Sequence, residues 1–281
     1  MSDWYPVPQT IYKRRSESHD SCGWPGNPGS NPPSILISTK SKQITYTETT
    51  SNIPIPDNLI TLKIDASAGG GGGSFPDTPV TSSGGSGGGG GAGAVASVII
   101  KATDLLAAFG EGSELKTMNV TVGKGGVAPG VTYPGPVPPS TNGRVTEVFV
   151  VGGIGTEDVN LEILTLDYGR SGNPDGSGGI GGDIEKSGFF QPSVISEASG
   201  QSGHNGGISG GNGGSNSLGT GGLGGFVPSA SPTGNPPRDA TDGTRGGGGG
   251  GGMILSGSTV ALAQAGSGGD GIVKITFTTT A

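Results

Sequence analysis

The chain has 281 residues, of which 62 are glycine, and its hydrophobic content of 30% is too low for a conventional core along the whole length. A formal charge of −7 argues against a general nucleic-acid-binding surface or a surface for anionic membranes. No apolar run approaches the roughly 18 residues of a membrane helix, and the polar, aromatic start lacks the apolar stretch of a signal peptide. We therefore expect synthesis in a cytosol, without membrane insertion.

The first 57 residues differ in composition from the rest and predict an extended N-terminal arm. A proline-rich stretch over residues 23–33 forbids a helix and cannot form a core of its own. Large aromatic and basic side chains cluster around it, which favours docking onto a partner subunit over a loosely ordered terminus. The candidate anchors of this attachment arm are Trp4, Tyr5, Tyr12, Arg14, Arg15 and Trp24.

From about residue 58 onward, short strands are indicated by alternating apolar and polar residues. The stretch 60–64 is the first, and a strand over 95–100 is followed by a helical turn with Thr103 as its predicted cap and Gly110 as its end. Further strands are predicted over residues 117–122, 145–151, 159–168 and 272–278, with 43–48 as an optional seventh.

Two of these strands carry additional information. Residues 145–151 are apolar on both faces, which predicts a central strand. Between Ile163 and Leu164 the alternation changes phase, which predicts a β-bulge. The strands together predict a small antiparallel β-sandwich or sheet.

Glycine-rich segments separate the strands, at residues 66–74, 84–93, 123–130, 169–183, 199–225, 243–252 and 263–271. Such runs are typical of flexible linkers. Here they alternate with the strands of one domain, so we expect them to be ordered. Left-handed helices with three residues per turn direct every N–H and C=O group sideways, which lets neighbouring helices bond laterally. Collagen is excluded because its strict Gly-X-Y period is broken within every run.

The predicted fold class is therefore mainly β. A small antiparallel β-sandwich or sheet is combined with a stacked polyglycine-II helix sandwich over residues 58–281, preceded by the extended N-terminal arm at 1–57.

The sequence contains only weak matches to motifs for catalysis or for cofactor and metal binding. Gly-x-Gly-x-x-Gly matches are expected from the composition, and none has the strand-to-helix context of a dinucleotide site. Residues 112–117 lack the glycine that precedes lysine in a phosphate-binding loop, and 178–183 is a single copy of a calcium-binding repeat. His19 and His204, with one cysteine, make neither a zinc site nor a catalytic pair. We predict no enzyme, no catalytic residue, no metal and no cofactor.

Four stretches carry a family resemblance: a strand that enters a glycine run (59–69), a glycine run that enters a strand (87–97), Asn119–Gly126, and the ending 268–277. In combination, over about residues 55–281, they resemble the glycine-rich adhesins at the distal tip of bacteriophage long tail fibres, the T2-like receptor-recognition proteins. The resemblance implies stacked glycine helices whose connecting loops form a variable tip that binds an outer-membrane receptor. Similar domains occur on other phage tail proteins.

By this resemblance, receptor contacts are expected among exposed residues in the loops 75–83, 127–144, 184–199 and 226–242. An aromatic side chain beside a glycine run could instead cover the end of the glycine helices, and both alternatives stay open. The candidate receptor-binding residues are Phe75, Pro76, Tyr133, Pro134, Phe189, Phe190, Phe226 and Val227.

The resemblance favours a virion receptor-binding adhesin on a phage tail, made in the host cytoplasm. Its expected partners are other virion proteins, through the arm, and a host outer-membrane protein or polysaccharide, with no nucleic acid. A trimer and a single copy seated on a trimeric fibre are both open. The alternative is a structural virion protein of the tail tip, baseplate or capsid exterior. An ice-binding protein would need a flat, regular array of side chains, which the irregular runs do not provide.

Overall fold

The computed structural model describes residues 5–6, 38–77, 85–128, 130–131, 136–185, 193–228, 236–256 and 260–281. These residues form three antiparallel sheets, one short helix and a bundle of glycine-rich extended helices. The expectation of a mainly β fold is confirmed.

The strands, numbered in chain order, and the helix have the following bounds: β1 Tyr5–Pro6, β2 Thr39–Tyr46, β3 Thr50–Pro54, β4 Leu59–Ser67, β5 Gly85–Ser86, β6 Val95–Lys101, α1 Ala102–Phe109, β7 Glu114–Thr121, β8 Thr146–Gly153, β9 Val159–Leu166, β10 Ile184–Glu185, β11 Ser193–Ala198, β12 Met253–Ser256, β13 Val260–Ala263 and β14 Ile272–Thr280.

Two of the sheets pack face to face as a β-sandwich. The first sheet has the strand order β1-β2-β14-β4-β6-β11, and the second has the order β10-β9-β8-β7-β3. Alternate residues of the inner strands point into the space between the sheets, as the period of two requires. The largest fully buried side chains of this core are Leu62, Ile64, Val98, Leu105, Met118, Val120, Val148, Leu166, Ile275 and Phe277.

The structure confirms two strand predictions and corrects one helix prediction. Strand β8 lies at the centre of its sheet, and the β8–β9 register shifts between Val148 and Phe149, opposite Ile163. The helix ends at Gly110, with φ 102°, as expected. The predicted cap at Thr103 is wrong: the helix begins at Ala102, after Lys101, which makes no side-chain capping bond.

The sheets begin earlier in the chain than the predicted boundary between residues 57 and 58. Strands β2 and β3 carry few apolar residues, so their alternation is weak in the sequence. Tyr5 and Pro6 pair with Ser41 and Lys40 of β2, which places the start of the predicted arm against the first sheet. The other candidate anchors, Trp4, Tyr12, Arg14, Arg15 and Trp24, lie outside the described residues.

The glycine-rich segments form helices with three residues per turn. In segment 68–74, successive N–H groups donate in rotation to 141–144, 266–269 and 88–94, with N···O distances of 2.8–3.1 Å. Each N–H direction returns to the same neighbour at every third residue, which is the geometry of a polyglycine-II helix. The predicted stacking of such helices is therefore present in the described residues.

Three segments lie at the centre of this glycine bundle: 68–74, 87–94 and 246–252. Each bonds to the other two and to four more segments, so its backbone faces other backbones on all six sides. The residues in these central segments are all glycine, alanine or serine. The peripheral segments encircle them in chain order, and they are 123–128, 141–145, 167–173, 177–183, 199–206, 209–216, 219–225, 239–244 and 264–271.

At the rim of the bundle, polar side chains accept hydrogen bonds from the backbone N–H groups that have no neighbouring carbonyl. Asn212 accepts from Gly224 at 2.8 Å, and Asp242 accepts from Ser267 at 2.7 Å. These acceptors recur at a spacing of three because one turn of the helix separates them. Further rim acceptors are Thr141, Asn142, Ser202, Asn205, Ser215, Asp239, Thr241, Thr244 and Asp270.

The central glycines are predicted to tolerate no side chain. A Cβ on Gly90 would lie 2.1 Å from the carbonyl oxygen of Gly71, whereas a Cβ on Gly207 would have no atom within 4 Å. We expect Gly90→Ala to destabilise the fold by about 3 kcal/mol or more, because backbone must move to relieve the overlap. The matched control Gly207→Ala should change the free energy of unfolding by less than about 0.5 kcal/mol. Chemical denaturation checks both, and equal stability of the two variants would contradict the packing of the bundle.

Candidate functional site

The glycine bundle has one end on the β-sandwich and one end away from it. Segment 68–74 continues from Ser67 of β4 and reaches Phe75 after about 20 Å of extended helix. Neighbouring segments run back toward the sandwich, so the chain reverses at the far end. We call this far end the distal end. It is formed by the described residues within 75–77, 85–86, 130–131, 173–177, 206–209, 226–228 and 253–263.

A small hydrophobic cluster closes the distal end. Phe75, Val131 and Ile254 are buried against one another, and the ring of Phe75 covers Gly252, where a Cβ would lie 2.8 Å from the ring. A second cluster contains Val227 and Met253, together with Ala263. Both clusters draw on the sheet β13-β12-β5. Because the three central glycine helices contain only glycine, alanine and serine, the residues at their ends supply the apolar cover.

Hydrogen bonds fix the chain segments that enter this cluster. The side chain of Gln264 accepts from the Val131 N–H and donates to the Val131 carbonyl, both at 3.0 Å. The Ser74 hydroxyl donates to the carbonyl of Asn173 at 2.7 Å. Phe226 and Arg238 exchange two backbone hydrogen bonds of 2.9 and 2.8 Å. The described stems of three of the predicted loops are thus held in place at the distal end.

The outward surface of the distal end carries exposed apolar side chains. Ile208 is 85% exposed and Phe226 is 41% exposed, and Val260 on β13 is also exposed. Beside them, the Ser177 hydroxyl donates to the Asp175 carboxylate at 2.6 Å, which lowers the pKa of Asp175 and keeps a negative charge at the surface. Aromatic side chains such as that of Phe226 are enriched in binding interfaces, and charged groups occur at their rims.

The predicted receptor-binding residues divide into three groups. Phe226 is exposed at the distal end, as expected. Phe75, Pro76 and Val227 lie at the same end but are buried, which differs from the exposure expected of contact residues. The Phe75 ring covers Gly252 at the end of a glycine helix, as the alternative interpretation proposed, and Val227 packs in the second distal cluster. Tyr133, Pro134, Phe189 and Phe190 lie outside the described residues.

The loop stems show which predicted loops share a location. Stems of 75–83, 127–144 and 226–242 meet at the distal end through Phe75, Val131 and the Phe226–Arg238 pair. The loop 184–199 differs, because its stems are edge strands of the sandwich: Glu185 pairs with Thr165, and Ser193 pairs with Ile99. Sequence reasoning missed Ile208 and Gln264; the polar spacing of three at Gln264 and Ser267 is a signal that could have identified the latter.

The described residues give no indication of a metal site. No group of three or more His, Cys, Asp or Glu side chains among them is arranged to hold a metal ion. Within the same ranges, no helix is long and apolar enough to cross a membrane.

The fold belongs to a class of protein in which a β-sandwich supports a bundle of polyglycine-II helices. A family model described as a glycine-rich domain matches residues 45–278. The chain belongs to this glycine-rich domain family. A comparison with curated proteins found no match.

Two phenylalanines at the distal end are predicted to differ in their contribution to stability. Phe75→Ala removes a side chain that is 2% exposed and should lower the free energy of unfolding by about 3–5 kcal/mol. Phe226→Ala is the matched control, and its exposed ring should contribute less than about 1 kcal/mol. Chemical denaturation measures both values. A small effect of Phe75→Ala would contradict its assignment as the cover of the glycine helices.

Proposed function

We propose that the chain is a virion receptor-binding adhesin that attaches a phage tail or tail fibre to a host cell surface through its distal end. The observation that carries this proposal is the convergence of three loop stems and exposed apolar side chains at one end of a rigid bundle, opposite the β-sandwich. In this arrangement the sandwich and the N-terminal region face the virion and the loops face the host.

The glycine bundle suits this role because it separates the support from the binding surface. Its cohesion comes from backbone hydrogen bonds and from glycine positions such as Gly71, Gly90 and Gly249, none of which lies in a loop. Loop residues between fixed stems can therefore change without loss of the support, as loops on rigid scaffolds do elsewhere. A preorganised surface also reduces the entropy lost on binding.

The sequence resemblance to glycine-rich tail-fibre adhesins supports a phage origin and a location on the virion exterior. It supports an outer-membrane protein or surface polysaccharide as the receptor. Phe226 and Ile208 are the described residues that we assign to receptor contact, because their apolar side chains are exposed at the distal end. Tyr133 and Pro134 remain candidates, since the Val131 stem of their loop lies in the distal cluster.

A second candidate is a structural virion protein of the tail tip, baseplate or capsid exterior. The position of the 184–199 loop stems favours it. Glu185 and Ser193 lie on edge strands of the sandwich, away from the distal end, so the Phe189–Phe190 pair between them is a candidate contact with another virion protein. In this alternative the glycine bundle is a spacer.

The adhesin proposal is tested by binding labelled protein to a panel of bacterial strains and to their isolated outer-membrane fractions. We expect saturable binding to some strains, and we expect the double variant Phe226→Ala/Ile208→Ala to weaken it about tenfold or more, since truncated contact residues commonly cost that much. Ile180→Ala is the matched control: Ile180 is 61% exposed but lies on the side of the bundle, so its loss should leave binding within about twofold.

Two results would count against the adhesin. One is the absence of binding to every strain in the panel. The other is an equal loss of binding in the Ile180→Ala control, which would show that binding does not depend on the distal end. Incorporation of the chain into particles together with no cell binding would support the structural alternative.

A further inference from the structure

A polar pocket lies where the first sheet meets the glycine bundle, at the opposite end of the bundle from the distal end. Its volume is about 580 Å³, which is in the usual range of pockets that bind small molecules. It is lined by Thr45 and Thr47 at the end of β2, by Asp242 and Arg245 on one rim segment of the bundle, and by residues 267–272 on another. We call it the junction pocket.

The two rim segments of the junction pocket are joined by a hydrogen-bonded ladder that repeats at every third residue. The Gln264 N–H donates to the Asp239 carboxylate at 2.7 Å, and the Gln264 carbonyl accepts the N–H of the residue after Asp239 at 2.8 Å. Ser267 repeats both bonds one turn later, with Asp242 and the residue that follows it, at 2.7 and 2.8 Å. The same spacing predicts a third step one further turn along both segments.

The ladder stops at this third step, between Arg245 and Asp270. Arg245 has no side-chain oxygen that could accept the Asp270 N–H, and the chain turns away from the rim there. Arg245, with φ 45°, and Gly246, with φ 88°, form a tight turn that is closed by a 2.8 Å bond from the Gly247 N–H to the Thr244 carbonyl. Within the described part of the chain, neither the N–H nor the C=O group of Asp270 is bonded to another protein group. A backbone donor and a backbone acceptor are therefore open at the pocket.

The side chains of the junction pocket offer further polar groups, and their charges balance. The Arg245 guanidinium has neither an ion-pair nor a hydrogen-bond partner among the described residues. The Asp242 carboxylate binds the Ser267 N–H through Oδ1, so Oδ2 is available to a ligand. Lys124 forms an ion pair with Asp270 at 2.9 Å. Because Arg245 and Asp242 then remain as opposite charges, the pocket favours neither an anion nor a cation.

We propose that the junction pocket binds a neutral sugar unit of a saccharide. A sugar hydroxyl both donates and accepts hydrogen bonds, so neighbouring hydroxyls on one ring can pair with the N–H and C=O groups of Asp270 and with the side chains of Asp242 and Arg245. Ile272 is the one large apolar residue of the lining, and it is 6% exposed, so the pocket has no apolar recess for a peptide side chain. The proposal goes beyond the adhesin proposal, because this site lies away from the distal end.

The backbone at Arg245 supports a role of its side chain in binding rather than in stability. A residue other than glycine is strained in the left-handed region, and such strain is concentrated at functional sites. The turn is held by the Gly247–Thr244 backbone bond and by the Ser67 hydroxyl, which donates to the Arg245 carbonyl at 3.1 Å. Neither bond uses the Arg245 side chain. Glycine would therefore form this turn with less strain, and what arginine adds is the guanidinium in the pocket.

The first test titrates ¹⁵N-labelled full chain with the methyl glycosides of glucose, galactose, mannose and N-acetylglucosamine, followed by NMR. We expect at least one of them to shift the amide signals of Asp270 and Gly271 saturably. Arg245→Gly should weaken that binding about tenfold or more, because a charged hydrogen-bond donor is lost. The same variant should leave the Tm unchanged or higher, because glycine adopts a positive φ without strain.

Arg170→Ala is the matched control, since Arg170 is an exposed arginine outside the pocket, and it should leave sugar binding within about twofold. Three results would overturn the proposal: no shift of the Asp270 signal with any of the sugars, an equal loss of binding in Arg170→Ala, or tighter binding of inorganic phosphate than of every sugar. The last result would make Arg245 part of an anion site.

The second test separates the junction pocket from the distal end and identifies the source of the sugar. The double variant Phe226→Ala/Ile208→Ala should bind the glycosides with unchanged affinity, whether or not the adhesin proposal holds. Loss of sugar binding in that variant would place the sugar site at the distal end and overturn the proposal. Surface polysaccharide isolated from the strain panel is the second probe. Binding to it that Arg245→Gly weakens would indicate a bacterial polysaccharide, whereas binding of the free glycosides alone would indicate a soluble saccharide, and both results support the pocket.

Discussion

The structure depends on one constraint: at the centre of the glycine bundle, backbone packs against backbone on every side, and only residues without a large side chain fit. Gly71, Gly90 and Gly249 come from three central segments, and each would place a Cβ within about 2 Å of a carbonyl oxygen. Ordering a glycine costs about 0.5–1 kcal/mol more than ordering an alanine. The lateral hydrogen bonds at 2.7–3.2 Å offset that cost, because they satisfy polar groups that would otherwise be buried without partners.

From this constraint follows the division of the molecule into regions. The sandwich supplies the conventional core and holds one end of the bundle. At the rim, side chains such as Asn212 and Asp242 complete the bonding that has no backbone partner. At the distal end, where the helices stop, large apolar residues such as Phe75 and Ile254 become necessary. The side chains of Phe226 and Ile208 are exposed and belong to neither distal cluster, which is why we propose them as binding residues.

Much of the fold could be predicted from the sequence, because strand alternation and long glycine runs are local signals. The bulge at Ile163 and the central position of β8 both followed from the pattern of apolar residues. The order of the glycine helices could not be predicted, since lateral bonding between runs such as 87–94 and 246–252 leaves no trace in composition. The exposure of the candidate residues could not be predicted from the sequence either. Phe75 and Phe226 both follow glycine runs, but Phe75 packs on Gly252, Val131 and Ile254, whereas Phe226 is exposed.

The most direct test of the account is amide hydrogen exchange resolved to the glycine runs. An ordered bundle predicts that the N–H groups of 70–73, 88–93 and 247–252 exchange as slowly as those of β14, because each is donated to a neighbouring carbonyl inside the fold. Residues 207–209, at an exposed turn, should exchange much faster and provide the internal reference. Rapid exchange throughout the central segments, alongside a protected sandwich, would show that the glycine runs are flexible linkers and would contradict the account.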